Sequence, residues 1–87
     1  MNEIVIRIRY FARLCDQLGC SDEQFAMDSS GCLVAELKQK LAGRGENWKK
    51  AMELPSLLVA VNQVLANDQA QLHSGDEVGF FPPVTGG

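Results

Sequence analysis

The stretch "FFPPVTGG" at 80–87 holds the residues whose order most plainly suggests chemistry. Gly86 and Gly87 present a carboxylate on a backbone without side chains. A carboxylate is a poor electrophile. It forms an acyl bond or exchanges an oxygen only after activation, typically by adenylation with ATP inside an enzyme that keeps water from the reactive intermediate. A narrow channel admits glycine readily, because without Cβ the backbone can approach other groups closely. Pro82 and Pro83 stiffen the exit from the body and lower the entropy cost of ordering the last four residues. Extended, residues 82–87 reach about 20 Å, enough to enter a partner's pocket while the body docks outside. The bland reading is an end with no task, the prolines serving only to stop a strand. The compact order of strand, prolines, Val84-Thr85 and glycines tilts the reading toward a working end, and composition does not decide further.

Other reactive side chains offer less. Cys15, Cys20 and Cys32 are odd in number and contain no C-x-x-C, and His73 is the single histidine. Neither a disulfide framework nor a metal site is expected, and the cysteines read as reduced thiols. Cys32 has no basic neighbour in sequence to make it a sulfur donor. No acid–base pair around a pocket suggests itself.

The elements that must position the end are legible in the patterning. The chain has 87 residues, which is one domain with one modest core. Residues 3–11, "EIVIRIRYF", alternate strictly and predict a half-buried strand. "FARLCDQLG" predicts a short helix stopped by Gly19, and "DEQFAMD" a second strand with Phe25 and Met27 on one face. "CLVAELKQKLAGRG" predicts the main amphipathic helix. Leu33, Leu37 and Leu41 form its stripe, Val34 widens it, Glu36 and Lys40 form a solvent pair, and Gly43 and Gly45 end it. "ENWKKAMEL" predicts a further helical turn, with Trp48 anchoring a satellite of the core. "SLLVAVNQVLA" reads as two strands joined by a tight turn at Asn62-Gln63, 67–77 as a loop, and "EVGFF" as the last strand. Pro82-Pro83 stop that strand, because proline cannot donate to a ladder. Strands outnumber helices, so the expected class is α+β, one main helix on a mixed sheet. The expected division is a body over 1–81 and a flexible Gly-Gly tail over 82–87.

Charge bounds the partners. With a net charge of −3 and scattered basic residues, nucleic acid is not an expected partner. No stretch approaches a membrane span and the first residues lack a signal-peptide core, so no membrane association and a cytoplasmic location are expected.

Several of these segments also carry a family resemblance. "SGDEVGFFPPVTGG" at 74–87 closely resembles the C-terminus of the small subunits of molybdopterin synthase, which belong to the ubiquitin-like β-grasp sulfur carriers. "FARLCDQLG", "LVAELKQKLA" and "LLVAVNQ" look like that family's first helix, main helix and central hairpin, so the similarity covers the whole chain. The resemblance implies a β-grasp fold with a sheet of about five strands. It implies that Gly87 is adenylated by an activating enzyme, which uses the ATP, and is converted to a thiocarboxylate with sulfur from a separate source. The tail, Pro82 to Gly87, would then enter the large subunit of molybdopterin synthase and donate sulfur to cyclic pyranopterin monophosphate, forming the dithiolene. It further implies a heterotetramer of two small and two large subunits, no bound cofactor or metal on this chain, and catalytic side chains on the large subunit. This chain would be a non-catalytic sulfur donor. Two positions depart from the family pattern. Cys15 stands where many relatives carry arginine, which puts one charged contact in doubt. Leu33 stands where a small hydroxyl residue often precedes the main helix, so Ser29 or Ser30 is the alternative cap.

A docking face is expected near the tail. Phe80 and Phe81 point to opposite sides of the last strand, so one faces the core and the other is free to join Phe11 in an apolar patch. Leu58 and Ala60 extend the same patch, whereas Arg7 and Arg9 read as a solvated strand face. Two alternatives stay open. One is a thiamine-pathway sulfur carrier, which shares the fold and the Gly-Gly end. The other is a ubiquitin-like interaction module or protein modifier, in which Gly87 forms an isopeptide bond or stays unmodified.

Overall fold

Alternation over the first strand organises everything else. In the computed structural model, which describes residues 3–82, β1 runs Glu3–Tyr10 with Ile4, Ile6, Ile8 and Tyr10 buried and the residues between them exposed. The chain continues as α1 (Arg13–Leu18), β2 (Asp22–Asp28), α2 (Val34–Ala42), α3 (Glu46–Met52), β3 (Leu58–Val61), β4 (Val64–Ala66) and β5 (Glu77–Phe81). The sheet order is β2-β1-β5-β3-β4. The central pair β1 and β5 is parallel and every other pairing is antiparallel. This is the mixed five-stranded α+β sheet expected of a β-grasp domain.

One face of the sheet carries the core. Ile6, Ile8, Met27, Val78 and Phe80 pack there against Leu14, Val34, Leu37 and Leu41 from the helices. Fully burying each such side chain contributes about 1.5–3 kcal/mol before chain entropy is offset. Trp48 meets the ring of Tyr10 edge-on, with centroids 5.4 Å apart, and so anchors α3 against the end of β1 as expected.

The main helix begins differently from the leucine spacing. Leu33 is its N-cap, in extended backbone and only partly buried, bridged to Gln71. The buried face is Val34, Leu37 and Leu41. Neither serine caps it. Ser30 turns back on Asp28, donating from its N–H and Oγ to Oδ1 at 3.0 and 2.9 Å. The free N–H groups of the first turn find backbone oxygens instead: Val34 donates to Ala70 and Ala35 to Asp68, both at 3.0 Å. The loop before β5 thus serves as the cap. Glu36 and Lys40 form no ion pair; Lys38 pairs with Asp68 at 2.7 Å and fastens the same loop.

Two further connections hold the outer strands. At the β3–β4 turn, Asn62 and Gln63 both have positive φ, 53° and 70°, which matches the twist of a two-residue hairpin. Asn62 also donates from Nδ2 to Asp76 and accepts the N–H of Glu77, tying the hairpin tip to the start of β5. On the far edge, Arg44 makes two bonds to Glu23 of β2, at 2.7 and 2.8 Å, while the Tyr10 hydroxyl donates to the same carboxylate at 2.7 Å. The Arg44 guanidinium lies 4.6 Å over Trp48, so this residue of the α2–α3 connection joins β2 to α3. Hydrogen bonding from Arg44 holds the Glu23 carboxyl below the usual carboxylate range. Burial, then the hydrogen bond to Glu23, drives the Tyr10 hydroxyl far above its ordinary value.

No helix among the described residues is long and apolar enough to cross a membrane.

Candidate functional site

The sheet face turned away from the helices carries the site. Phe11 follows β1 directly, and its N–H donates to the carbonyl of Phe80 at 3.1 Å, prolonging the β1–β5 ladder by one step. Ala12 then takes φ 54° and turns the chain into α1. That extra step carries the Phe11 side chain onto the outer face beside Phe81. The two rings stack with centroids 4.6 Å apart and planes 3° from parallel.

Neighbours extend the stack into an apolar surface. Leu58 lies across from Phe81 in the β3–β5 register and is 43% exposed. Ala60 lies across from Gly79, and Leu65 of β4 lies across from Ala60 with 70% exposure. Phe11, Phe81, Leu58 and Leu65 therefore share one side of the sheet, over a floor of Gly79 and Ala60. Contiguous exposed apolar surface of this kind is a candidate contact site. It ends at Pro82, the last described residue, where the chain leaves β5.

Charges frame the patch without dominating it. Arg9 lies 5.2 Å over the Phe11 ring and 3.6 Å from Glu77, and Arg7 pairs with Asp22 at 2.9 Å. The hydrogen bond from Arg7 lowers the Asp22 carboxyl below its ordinary value. Both of these arginines have an acidic partner, so the frame is close to neutral.

The residues expected at a docking face separate in the structure. Phe11, Phe81 and Leu58 come together on it. Phe80 does not: it is fully buried among Ile8, Val78 and the helices, 6.1 Å from Tyr10 in a stacked arrangement, because its register partner Tyr10 points to the core. Ala60 has the expected direction and, at only 6% exposed, forms the floor of the patch. Pro83, Val84, Thr85, Gly86 and Gly87 lie outside the described residues. Leu65 and Gly79 belong to the site and were not singled out by sequence. A signal for Leu65 was present, since counting both ways from the two-residue turn at Asn62-Gln63 places it opposite Ala60.

Among the described residues no group of three His, Cys, Asp or Glu side chains is arranged to hold a metal ion. An open groove between α2 and α3, lined by Ala35, Lys38, Gln39, Met52 and Glu53, lies on the opposite side of the molecule.

Comparison with known proteins gives this geometry a context. The ThiS family matches residues 8–87. The chain is 40% identical to the molybdopterin synthase sulfur carrier subunit of Escherichia coli K12, over 95% of this chain and 100% of that one. Its fold superposes on SAMP1 of Haloferax volcanii with a TM-score of 0.80 at 25% identity, covering 95% and 99% of the two chains. It also superposes on a chain from the complex of subunits 1 and 2 of the molybdopterin-converting factor from Helicobacter pylori 26695. There the TM-score is 0.63 at 26% identity, covering 97% and 100%. The family match over residues 8–87 and the likeness to the whole length of the Escherichia coli subunit place the chain: it belongs to the ThiS family, on the branch of the molybdopterin synthase sulfur carrier subunits.

Proposed function

We propose that this protein is the sulfur-carrier small subunit of a molybdopterin synthase, with Gly87 as the carrier position. In the first step the Gly87 carboxylate attacks the α-phosphate of ATP on an activating enzyme, giving an acyl-adenylate and pyrophosphate. A sulfide equivalent from a sulfur donor then displaces AMP and leaves a thiocarboxylate. In the second step the body docks on the large subunit, residues 82–87 enter its active site, and sulfur passes to cyclic pyranopterin monophosphate as the acyl C–S bond breaks and water returns Gly87 to a carboxylate; two loaded chains supply the two sulfurs of one dithiolene. The chain holds no cofactor of its own in this cycle, and ATP is consumed by the activating enzyme. Assembly as two small and two large subunits, in the cytoplasm, completes the reading.

The observation that carries it is the apolar face of Phe11, Phe81, Leu58 and Leu65 at the point where β5 gives way to Pro82. A docking surface beside the exit of the tail fixes the tail's origin. Little translational freedom then remains to be lost when Gly87 is inserted. The Helicobacter pylori complex supports a large subunit as the occupant. The likeness to SAMP1 favours a second reading, a protein modifier, in which the same activated Gly87 forms an isopeptide bond. The higher identity to the Escherichia coli carrier subunit favours the first.

Intact-mass analysis after incubation with the activating enzyme, ATP and a sulfur donor tests the proposal. The expected product is one oxygen-for-sulfur exchange, mapped to Gly87. A chain recovered only as the free acid, or as an amide to another protein, contradicts it.

A further inference from the structure

We propose that Gly79 is the positioning residue of the docking face: its missing side chain sets the height of the Phe11 ring and so creates the Phe11–Phe81 slab that the large subunit recognises. This rests on the docking reading above and adds a residue to it.

The geometry is specific. Gly79 lies in the middle of β5, between β1 and β3, paired with Arg9 on one side and Ala60 on the other. Its φ is not the reason for glycine there, since the positive-φ glycines among the described residues are Gly19, Gly45 and Gly75. Space is the reason. A Cβ at Gly79 would stand 2.9 Å from Cε2 of Phe11, and 3.4 and 3.5 Å from Cε1 and Cζ of Phe81. The first of these is closer than real Cβ atoms come. Both rings therefore rest on the bare backbone of Gly79, and the Phe11 ring occupies the place of the missing methyl group.

Glycine in a central strand is otherwise a poor choice. It packs nothing on its own face and loses more backbone entropy on folding than alanine. The atom in conflict is the far edge of a side chain at the surface, which can swing outward at little cost. Alanine at 79 should therefore leave the fold as stable or more so, and yet lift Phe11 off the sheet and out of its stack. Opposite effects on stability and docking are what a seat for a contact residue predicts. A merely structural glycine would move both in the same direction.

The test uses the full chain as the parent, Gly79→Ala, Phe11→Ala and the double variant. Each is melted, examined by NMR for contacts between the rings of residues 11 and 81, and titrated calorimetrically with purified large subunit. Gly79→Ala is expected to melt at or above the parent temperature and to lose the inter-ring contacts. It should bind about threefold to tenfold more weakly, the range of one aromatic pair. Phe11→Ala is expected to lose about thirtyfold or more, as for a contact hot spot. Adding Gly79→Ala to Phe11→Ala should then change binding by less than about twofold, because Gly79 acts through that ring. Parent-like binding by Gly79→Ala while Phe11→Ala is weakened, or an equal loss in both backgrounds, overturns the proposal. So does a Gly79→Ala chain that unfolds and is rescued by removing Phe11, since the ring would then be fixed and not displaced. If Phe11→Ala binds like the parent, the docking reading fails, and the inter-ring contacts still judge whether Gly79 seats the ring.

Discussion

Phe11 and Phe81 come from opposite ends of the chain and stack within 3° of parallel on the outer face of the sheet, 4.6 Å between centroids. Their partners across and along the sheet are Leu58 and Gly79, and the next residue after Phe81 is Pro82. An aromatic pair stacked this way would lose little further side-chain entropy if a partner docked on it.

Replacing Phe11 by Asp should therefore separate binding from folding. The ring is partly exposed, and its loss is expected to cost about 1 kcal/mol of stability. At the centre of a contact the same change should cost about 2 kcal/mol or more of binding to the large subunit. Thermal melting and calorimetric titration measure the two side by side. By contrast, Phe80→Ala opens a cavity in the core and should cost about 3–5 kcal/mol of stability.

Leu65 gives a sharper case, because its side chain is 70% exposed and supports nothing in the core. Leu65→Asp should melt within about 0.5 kcal/mol of the parent, as exposed substitutions do. It should nonetheless weaken docking by tenfold or more, about 1.4 kcal/mol. Surface plasmon resonance on immobilised large subunit would show the difference as a faster dissociation rate.

The bonds of Glu23 to Arg44 and Tyr10 predict a pH dependence of stability. The folded-state pKa of Glu23 is depressed, so its contribution is fully present above its unfolded value, about 4.3, and is lost as pH falls through the lower folded value. Glu23→Gln lacks that contribution at every pH. At neutral pH the variant should be less stable by about 1–3 kcal/mol, the size of charge-assisted hydrogen bonds. The gap between parent and variant should stay level from pH 8 to about 5 and shrink below about 4. Urea melts across that range measure it, and a gap that grows on acidification would contradict the assignment.

The three cysteines are expected to be dispensable for sulfur loading. Cys32 is buried and donates to the carbonyl of Ser29 at 3.1 Å, and burial is the main cause that raises the Cys20 thiol above its ordinary value. The Cys20 environment does not favour a thiolate. A chain with Cys15→Ser, Cys20→Ser and Cys32→Ala should lose some stability and still gain a thiocarboxylate at Gly87. A folded triple variant that fails to load would assign one of these thiols a chemical role.

Much of the fold was legible because it is local. The strict alternation of β1 sets which residues are core, and Asn62-Gln63 sets the β3–β4 register and with it the direction of Leu65. What sequence spacing could not reveal depends on partners distant in the chain. Leu33 fits a helical leucine stripe as well as Val34 does, and only the carbonyls of Asp68 and Ala70 fix the start of the helix one residue later. Parity alone does not tell Phe80 from Phe81; the parallel register of Tyr10 with Phe80 does. Arg44 looks like one more solvated cation until β2 brings Glu23 to it. The role of Gly79 is invisible without the position of the Phe11 ring.

Sulfur transfer itself tests the central claim most directly. Gly87 is loaded with isotopically labelled sulfur by the activating enzyme, and the purified chain is mixed with large subunit and cyclic pyranopterin monophosphate in a single turnover. The account predicts that the label leaves Gly87, which returns to a carboxylate, and appears in the dithiolene of molybdopterin, with the Phe11→Asp chain slower in proportion to its weaker docking. Label retained on the chain while molybdopterin forms, or label-free dithiolene from a chain lacking Gly87, would contradict it.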